Sequence, residues 1–244
     1  METQSSTLAK KIARTSIANG AIKLNIKNPF EWASGYRMPI YNDNRLFLYR
    51  SEHRRLITNA LIRAAEIMGV KKIDVIAGTS TAGIPWATSL ANELGKSLVY
   101  IREKPKIHGL KNQIEGIDVH KSLAGASVIV VEDLISTGRS SAKAVQAVRD
   151  AGGECRAIVS IFNYGFKEAE EMFAGFRTFD DKNPELPKLY PPCEVFSLLE
   201  YNELMSVVEE EKYISKEELS LLKEWRHDLW YWGEKRGFPR IMKK

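Results

Sequence analysis

Between residues 72 and 162 the chain alternates short apolar runs with helix-like segments, and this alternation leaves few architectures open. KIDVIAG (72–78), SLVYI (97–101), ASVIVVED (126–133) and RAIVSIF (156–162) read as strands. IPWATSLANELG (84–95) and GRSSAKAVQAVRDAGG (138–153) read as helices between them, the first stopping at Gly95 and the second at a glycine pair. A strand that is apolar throughout, rather than at every second position, has both faces buried. Such strands separated by helices make an α/β fold, a parallel sheet flanked by helices. Ligands of these sheets sit beyond the carboxyl ends of the strands. The residues just after each run are therefore the first place to look for chemistry.

The flanks read differently. The first 20 residues suit a short amphipathic helix with Leu8, Ile12 and Ile17 roughly on one side. Residues 29–49 (PFEWASGYRMPIYNDNRLFLY) read as loop and short strand, punctuated by Pro29, Gly35 and Pro39. Leu56, Ile57, Ala60, Leu61, Ala64, Ala65 and Met68 then recur at helical spacing. Residues 179–193 hold four prolines and are expected to be a connecting loop. From 194 on, a short strand and two helices are expected, with Ser215 and Glu218 as a capping box. The cluster Trp225, Trp230, Tyr231 and Trp232 reads as packing or a subunit interface rather than a ligand box. With 244 residues, 44% of them hydrophobic, there is enough chain for one sizeable domain with an appendage, but two full domains would be a squeeze. The expected organisation is an N-terminal segment (1–50), an α/β core (51–178) and a C-terminal strand and helices (194–244).

Composition excludes several classes. Cys155 and Cys193 are far apart in sequence, with no CxxC and no His/Cys cluster, so no disulfide framework or zinc site is indicated. The formal net charge is +5, without a basic stripe interleaved with aromatics, which argues against nucleic acid as a partner. So mild a charge fits surface solubility or attraction of a small polyanion. The N-terminus lacks an apolar signal core, and nowhere do about 18 apolar residues run together. The expectation is a soluble cytoplasmic protein, not a membrane one.

The most informative segment is VIVVEDLISTGRSS (128–141). A buried strand delivers two adjacent carboxylates, Glu132 and Asp133, at its carboxyl end. Small and hydroxylic residues follow, then a helix. The unpaired N–H groups and positive dipole end of that helix can cradle a phosphate. Ser136, Thr137 and Ser140 add hydroxyl donors, and Gly138 lets the backbone come close. The carboxylates suit the two hydroxyls of a ribose. The segment reads as a ribose 5-phosphate clamp. It is neither a Walker A loop nor a dinucleotide fingerprint. A second stretch, residues 102–116, places Arg102, Lys104, Lys106, His108 and Lys111 among Gly and Pro. It reads as a mobile lid whose cations meet a diphosphate.

VIVVEDLISTGRSS resembles the motif by which type I phosphoribosyltransferases bind 5-phosphoribosyl 1-diphosphate (PRPP). Three further stretches resemble the orotate phosphoribosyltransferase family: WASGYRMPIYNDNR (32–45) its N-terminal substrate segment, AGTSTAGIP (77–85) its diphosphate loop, and YIREKPKIHGLKNQIEG (100–116) its catalytic loop. The tail from LLEYNELM onward is similar to some bacterial members. The resemblance implies a sheet capped by a hood of N- and C-terminal segments. It implies PRPP binding by Arg102, Lys106, His108 and the stretch Glu132, Asp133, Leu134, Ile135, Ser136, Thr137, Gly138, Arg139 and Ser140. Orotate contact falls to Ser136, and catalysis to Lys106, His108, Arg102 and Asp133. It also implies Mg²⁺ carried on the diphosphate rather than in a protein cage, a homodimer, and a place in UMP synthesis.

The chain departs from the pattern in four places. Glu103 stands where some members carry Lys, with Lys104 beside it. Ala82 also replaces a Lys, and Arg139 replaces a small residue. An Arg that holds orotate in some members is missing from IFNYGF (161–166). Two alternatives share the fold: a phosphoribosyltransferase for another nucleobase such as a purine, and a non-catalytic nucleotide-sensing regulator.

Overall fold

The computed structural model describes residues 4–103, 113–117, 122–175, 177–180, 183–189 and 192–241. The chain divides into two compact units, Met1–His53 with Tyr201–Lys244, and Arg54–Glu200.

In the first unit, α1 (Gln4–Ala18) buries Ala9, Ile12, Ala13 and Ser16. The buried face is rotated from the expected one, and Leu8 and Ile17 are only half-buried at its margins. Four short strands follow: β1 (Ile22–Leu24), β2 (Phe30–Glu31), β3 (Arg37–Met38) and β4 (Ile40–Asn42). β1 pairs antiparallel with β4, and β2 with β3. Asp43 caps the 3₁₀ segment Asn44–Leu48 that follows them by accepting from the Arg45 amide.

α2 (Ser51–Ile67) leads into the second unit, with Leu56, Ile57, Ala60, Leu61, Ala64 and Ala65 buried as their spacing requires. Then come β5 (Val75–Thr79), α3 (Ile84–Leu94), β6 (Ser97–Ile101), β7 (Ile114–Glu115), β8 (Ser127–Ile135), α4 (Arg139–Asp150), β9 (Glu154–Asn163), α5 (Lys167–Ala174), β10 (Arg177–Asp180), β11 (Asn183–Leu189) and β12 (Glu194–Glu200). Among the described residues the main sheet has six strands in the order β12-β9-β8-β5-β6-β7. All neighbours are parallel except β6 and β7. β5 is buried along its whole length, and β8 from Val128 to Val131, which is what their unbroken apolar sequences demand. Gly95 ends α3 in the left-handed conformation, as expected of a C-cap glycine.

The proline-rich stretch 179–193 is not simply a connecting loop. β10 and β11 form a separate antiparallel ribbon, pairing Thr178 with Lys188 and Asp180 with Asn183. Prolines obscure such a ribbon in sequence. A two-stranded ribbon has only edges, and Pro184 and Pro187 can sit where no ladder donor is needed.

The chain returns to the first unit with α6 (Tyr201–Glu210) and α7 (Lys216–His227). The capping box at the start of α7 is formed: Ser215 Oγ accepts from the Glu218 amide at 3.1 Å, and Glu218 accepts from the Ser215 amide at 3.0 Å. Trp225 and Trp232 are buried, while Tyr231 is exposed. The Trp225 ring N–H points to Met38 Sδ at 3.1 Å, and that of Trp232 donates to the Leu221 carbonyl. These two tryptophans are packing residues. Among the described residues, no helix is long and apolar enough to cross a membrane.

Candidate functional site

Parallel pairing brings the carboxyl ends of β5, β6 and β8 side by side within the second unit. Gly78 lies opposite Val131, which sets Thr79 level with Glu132. Thr79 Oγ1 donates to Glu132 Oε1 at 2.7 Å, and Ser141 Oγ, from the first turn of α4, donates to Oε2 at 3.0 Å. The Asp133 amide donates to the same Glu132 Oε1 at 3.1 Å. Glu132 is 7% exposed. Burial first, and the neighbouring Asp133 charge second, push its carboxyl up to about 8.

The two carboxylates are thus unlike each other. Glu132 is enclosed and ties three elements together: β5 through Thr79, β8 through its own backbone, and α4 through Ser141. Asp133 is only half-buried. It sits within β8, which runs two residues further than the apolar pattern indicates, to Ile135. Ile135 belongs to the hydrophobic core, so its side chain faces away from any ligand; Leu134 is half-buried.

After β8 the chain turns through Ser136, Thr137 and Gly138. Gly138 is the N-cap of α4, with φ +76° and no side-chain cap on the helix. A Cβ there would lie 3.1 Å from Ala169 Cα and 3.1 Å from the Phe173 ring, so both the turn and the packing of α5 require glycine. Ser136 and Thr137 are half-buried, and Arg139 and Ser140 are exposed. A half-exposed carboxylate beside an uncapped helix start and three hydroxyls sets acceptors for a diol next to donors for a phosphate.

The β5–α3 loop closes the other side. The Ser80–Thr81 peptide is cis, and the Ser80 amide donates to the Ile101 carbonyl of β6 at 2.8 Å. Ala82 is half-buried in the same loop. At the end of β6, the Arg102 amide donates to the Gln113 carbonyl at 2.9 Å, and Gln113 Nε2 donates back to the Arg102 carbonyl at 3.0 Å. These bonds fasten the base of the expected lid. The Arg102 guanidinium lies 3.7 Å from Glu115. Lys104, Lys106, His108 and Lys111 lie outside the described residues.

The structure therefore brings Glu132, Asp133, Ser136, Thr137, Gly138, Arg139 and Ser140 to one strand-helix junction. Thr79 and Ser141 are site residues that the sequence motifs contain but do not single out. Their signal was the hydroxyl itself, one at the end of β5 and one in the first turn of α4. Among the described residues, no group of three or more His, Cys, Asp and Glu could hold a metal ion. Of the two adjacent acids Glu132 is enclosed by Thr79 and Ser141, so only Asp133 could reach a Mg²⁺ that takes most of its oxygens from a phosphorylated substrate.

Residues 54–189 match the phosphoribosyl transferase domain family, to which the chain belongs. It is similar to the orotate phosphoribosyltransferase of Staphylococcus haemolyticus, 40% identical over 91% of this chain and 100% of the relative. The Streptococcus pneumoniae enzyme of the same name is likewise 40% identical, over 93% and 99%. In fold it resembles the crystal structure of orotate phosphoribosyltransferase from Aeropyrum pernix, at TM-score 0.61 and 24% identity over 84% of this chain and 99% of that one. Within the class, the chain belongs to the orotate phosphoribosyltransferases, enzymes of pyrimidine biosynthesis.

Proposed function

We propose that this chain transfers ribose 5-phosphate from PRPP to orotate, giving orotidine 5′-monophosphate and diphosphate, with the residues at the β8–α4 junction as its PRPP clamp. One observation carries this reading: Glu132, locked by Thr79 and Ser141, fixes a half-exposed Asp133 beside an uncapped helix start. Asp133 accepts hydrogen bonds from the ribose hydroxyls and stabilises positive charge on the ring. Glu132 holds the loop in shape behind it. The amides of the first turn of α4, with Ser136, Thr137 and Ser140, take the 5-phosphate, and Ser136 also reaches orotate. Arg139 adds positive charge at the rim, and the backbone of Leu134 and Ile135 shapes the floor.

The C1–O bond to diphosphate breaks, and its electron pair leaves with the diphosphate. The new bond forms between C1 and a ring nitrogen of orotate, whose N–H bond breaks and releases its proton. Arg102 and Lys106 stabilise the growing charge, and His108 orients or protonates the leaving group. Mg²⁺ carried in on the diphosphate would supply further neutralisation of its charge. Segment 32–45 recognises the base, within a hood formed by the N- and C-terminal segments. The protein works as a cytoplasmic homodimer, and its two free thiols fit a reducing compartment.

The test is diphosphate release from PRPP and Mg²⁺ with orotate, uracil, adenine, guanine, hypoxanthine and xanthine in turn. Release with orotate alone supports the reading. Release with a purine would overturn the assignment of the base, and PRPP binding without turnover of any base would favour a regulator.

A further inference from the structure

The turn that opens segment 32–45 is held from outside by the end of the chain. Within the turn, the Trp32 amide donates to the Tyr36 carbonyl at 3.0 Å and the Gly35 amide to the Trp32 carbonyl at 2.8 Å. Two carbonyls point outward, those of Ser34 and Gly35, and the C-terminal segment takes both. Arg240 Nε donates to the Ser34 carbonyl at 3.1 Å, and the Ile241 amide donates to the Gly35 carbonyl at 2.9 Å. The Arg240 guanidinium also lies over the Tyr36 ring at 4.4 Å and reaches its hydroxyl at 3.4 Å. Tyr36 also packs against Trp230, with ring centroids 4.9 Å apart and the planes tilted by 56°.

The fit is close at the backbone. Gly35 has φ +81°, and a Cβ added there would come within 2.1 Å of the Ile241 carbonyl oxygen. Gly233 likewise leaves only 2.9 Å between a Cβ and the Arg37 carbonyl. Two close approaches that glycine permits, two bonds to backbone carbonyls and an Arg–Tyr–Trp contact cluster are more than a chance tail contact needs.

The chemistry gives the arrangement a purpose. A base bearing a carboxylate is bound by donors and repelled by carbonyl oxygens. Once Ser34 O and Gly35 O are occupied, the amides of Ser34 and Tyr36 and the Ser34 hydroxyl remain as donors. Holding a glycine turn in one conformation before binding also removes an ordering cost that would otherwise weaken affinity.

We propose that Trp230–Ile241 is a strap that presets the base-recognition turn, with Arg240 its positioning residue, and that it governs affinity for the base but not for PRPP. This rests on the reading of segment 32–45 as the base-recognition segment. The test compares kcat and both KM values for the full chain and for Arg240→Ala, Arg240→Lys and Gly35→Ala, with thermal midpoints alongside. Arg240→Ala should raise the orotate KM about tenfold and leave the PRPP KM within about twofold, at a near-native midpoint. Arg240→Lys should recover part of the loss, since it keeps the cation and one donor. Gly35→Ala should act in the same direction. If Gly35→Ala raises the orotate KM and Arg240→Ala does not, the strap is wrong and the turn stands. If neither changes it, the turn is not the base-recognition element and the strap falls with it. Equal rises in both KM values, or a collapse of the midpoint in Arg240→Ala, would reduce the contact to general structure and overturn the proposal.

Discussion

At Glu132 two demands meet, since the same carboxyl is buried and must fix a neighbour that works in the open. Its raised pKa means that the folded chain keeps the proton to about pH 8, while the unfolded chain releases it near 4.5. The stability this group contributes is therefore fully present below pH 4.5 and is lost as pH rises through about 8. Glu132→Gln keeps an acceptor for Thr79 and removes the titration. Its thermal midpoint relative to wild type should climb between pH 5 and pH 8.5 by several degrees, each kcal/mol being worth about 2–4 °C in a chain of this size. A difference that stays flat across that range would mean that Glu132 ionises like an ordinary surface acid. Asp133→Asn should behave oppositely. Half-buried and outside the Thr79–Ser141 pair, it should fold with a near-native midpoint while kcat falls about 10²–10³-fold, the usual cost of one preorganised group at a developing charge. A variant with near-native turnover would remove Asp133 from the chemistry.

At the scale of elements, the junction of β8 and α4 depends on Gly138. Its positive φ strains any side chain, and at 3.1 Å from α5 a methyl group fits only if that helix gives way by a few tenths of an ångström. Gly138→Ala should lower stability by about 1–3 kcal/mol through strain and displacement of α5, and raise the PRPP KM through movement of the phosphate donors. Denaturant titration and PRPP saturation read the two effects separately; a rise in KM without loss of stability would mean that the glycine serves the ligand alone. Elements of this kind were legible in sequence where local chemistry dictates them. β6, the Gly95 stop and the Ser215–Glu218 box stand where their residues place them, because an apolar run, a left-handed glycine and a reciprocal cap each act over a few residues. The Thr79–Glu132 bond was not legible, because it joins residues 53 apart through the sheet register. The β10–β11 ribbon hid behind prolines. The bonds between Arg240 and the Ser34–Tyr36 turn span more than 200 residues and leave no periodic trace.

For the whole molecule, the open question of consequence is whether one chain completes its own site. The base of the expected lid is fastened in the second unit by the Arg102–Gln113 pair, and the proposed clamp lies at the ends of β5 and β8 of the same unit. Family resemblance implies a homodimer in which each lid serves the neighbouring subunit's clamp. In that case Lys106→Ala and Asp133→Asn inactivate different halves of two shared sites. Each variant alone should lose about 10²–10³-fold in kcat. A mixed dimer holds one site with both defects and one with neither. Mixing equal amounts under conditions that allow subunit exchange should therefore restore up to about a quarter of wild-type activity, because half the dimers are mixed and each has one intact site of two. The check is activity against mixing time, with exchange followed independently by a size or affinity tag on one variant. If exchange goes to completion and activity stays at the level of the single variants, lid and clamp belong to the same chain, and the dimer, where it forms, is not required for chemistry.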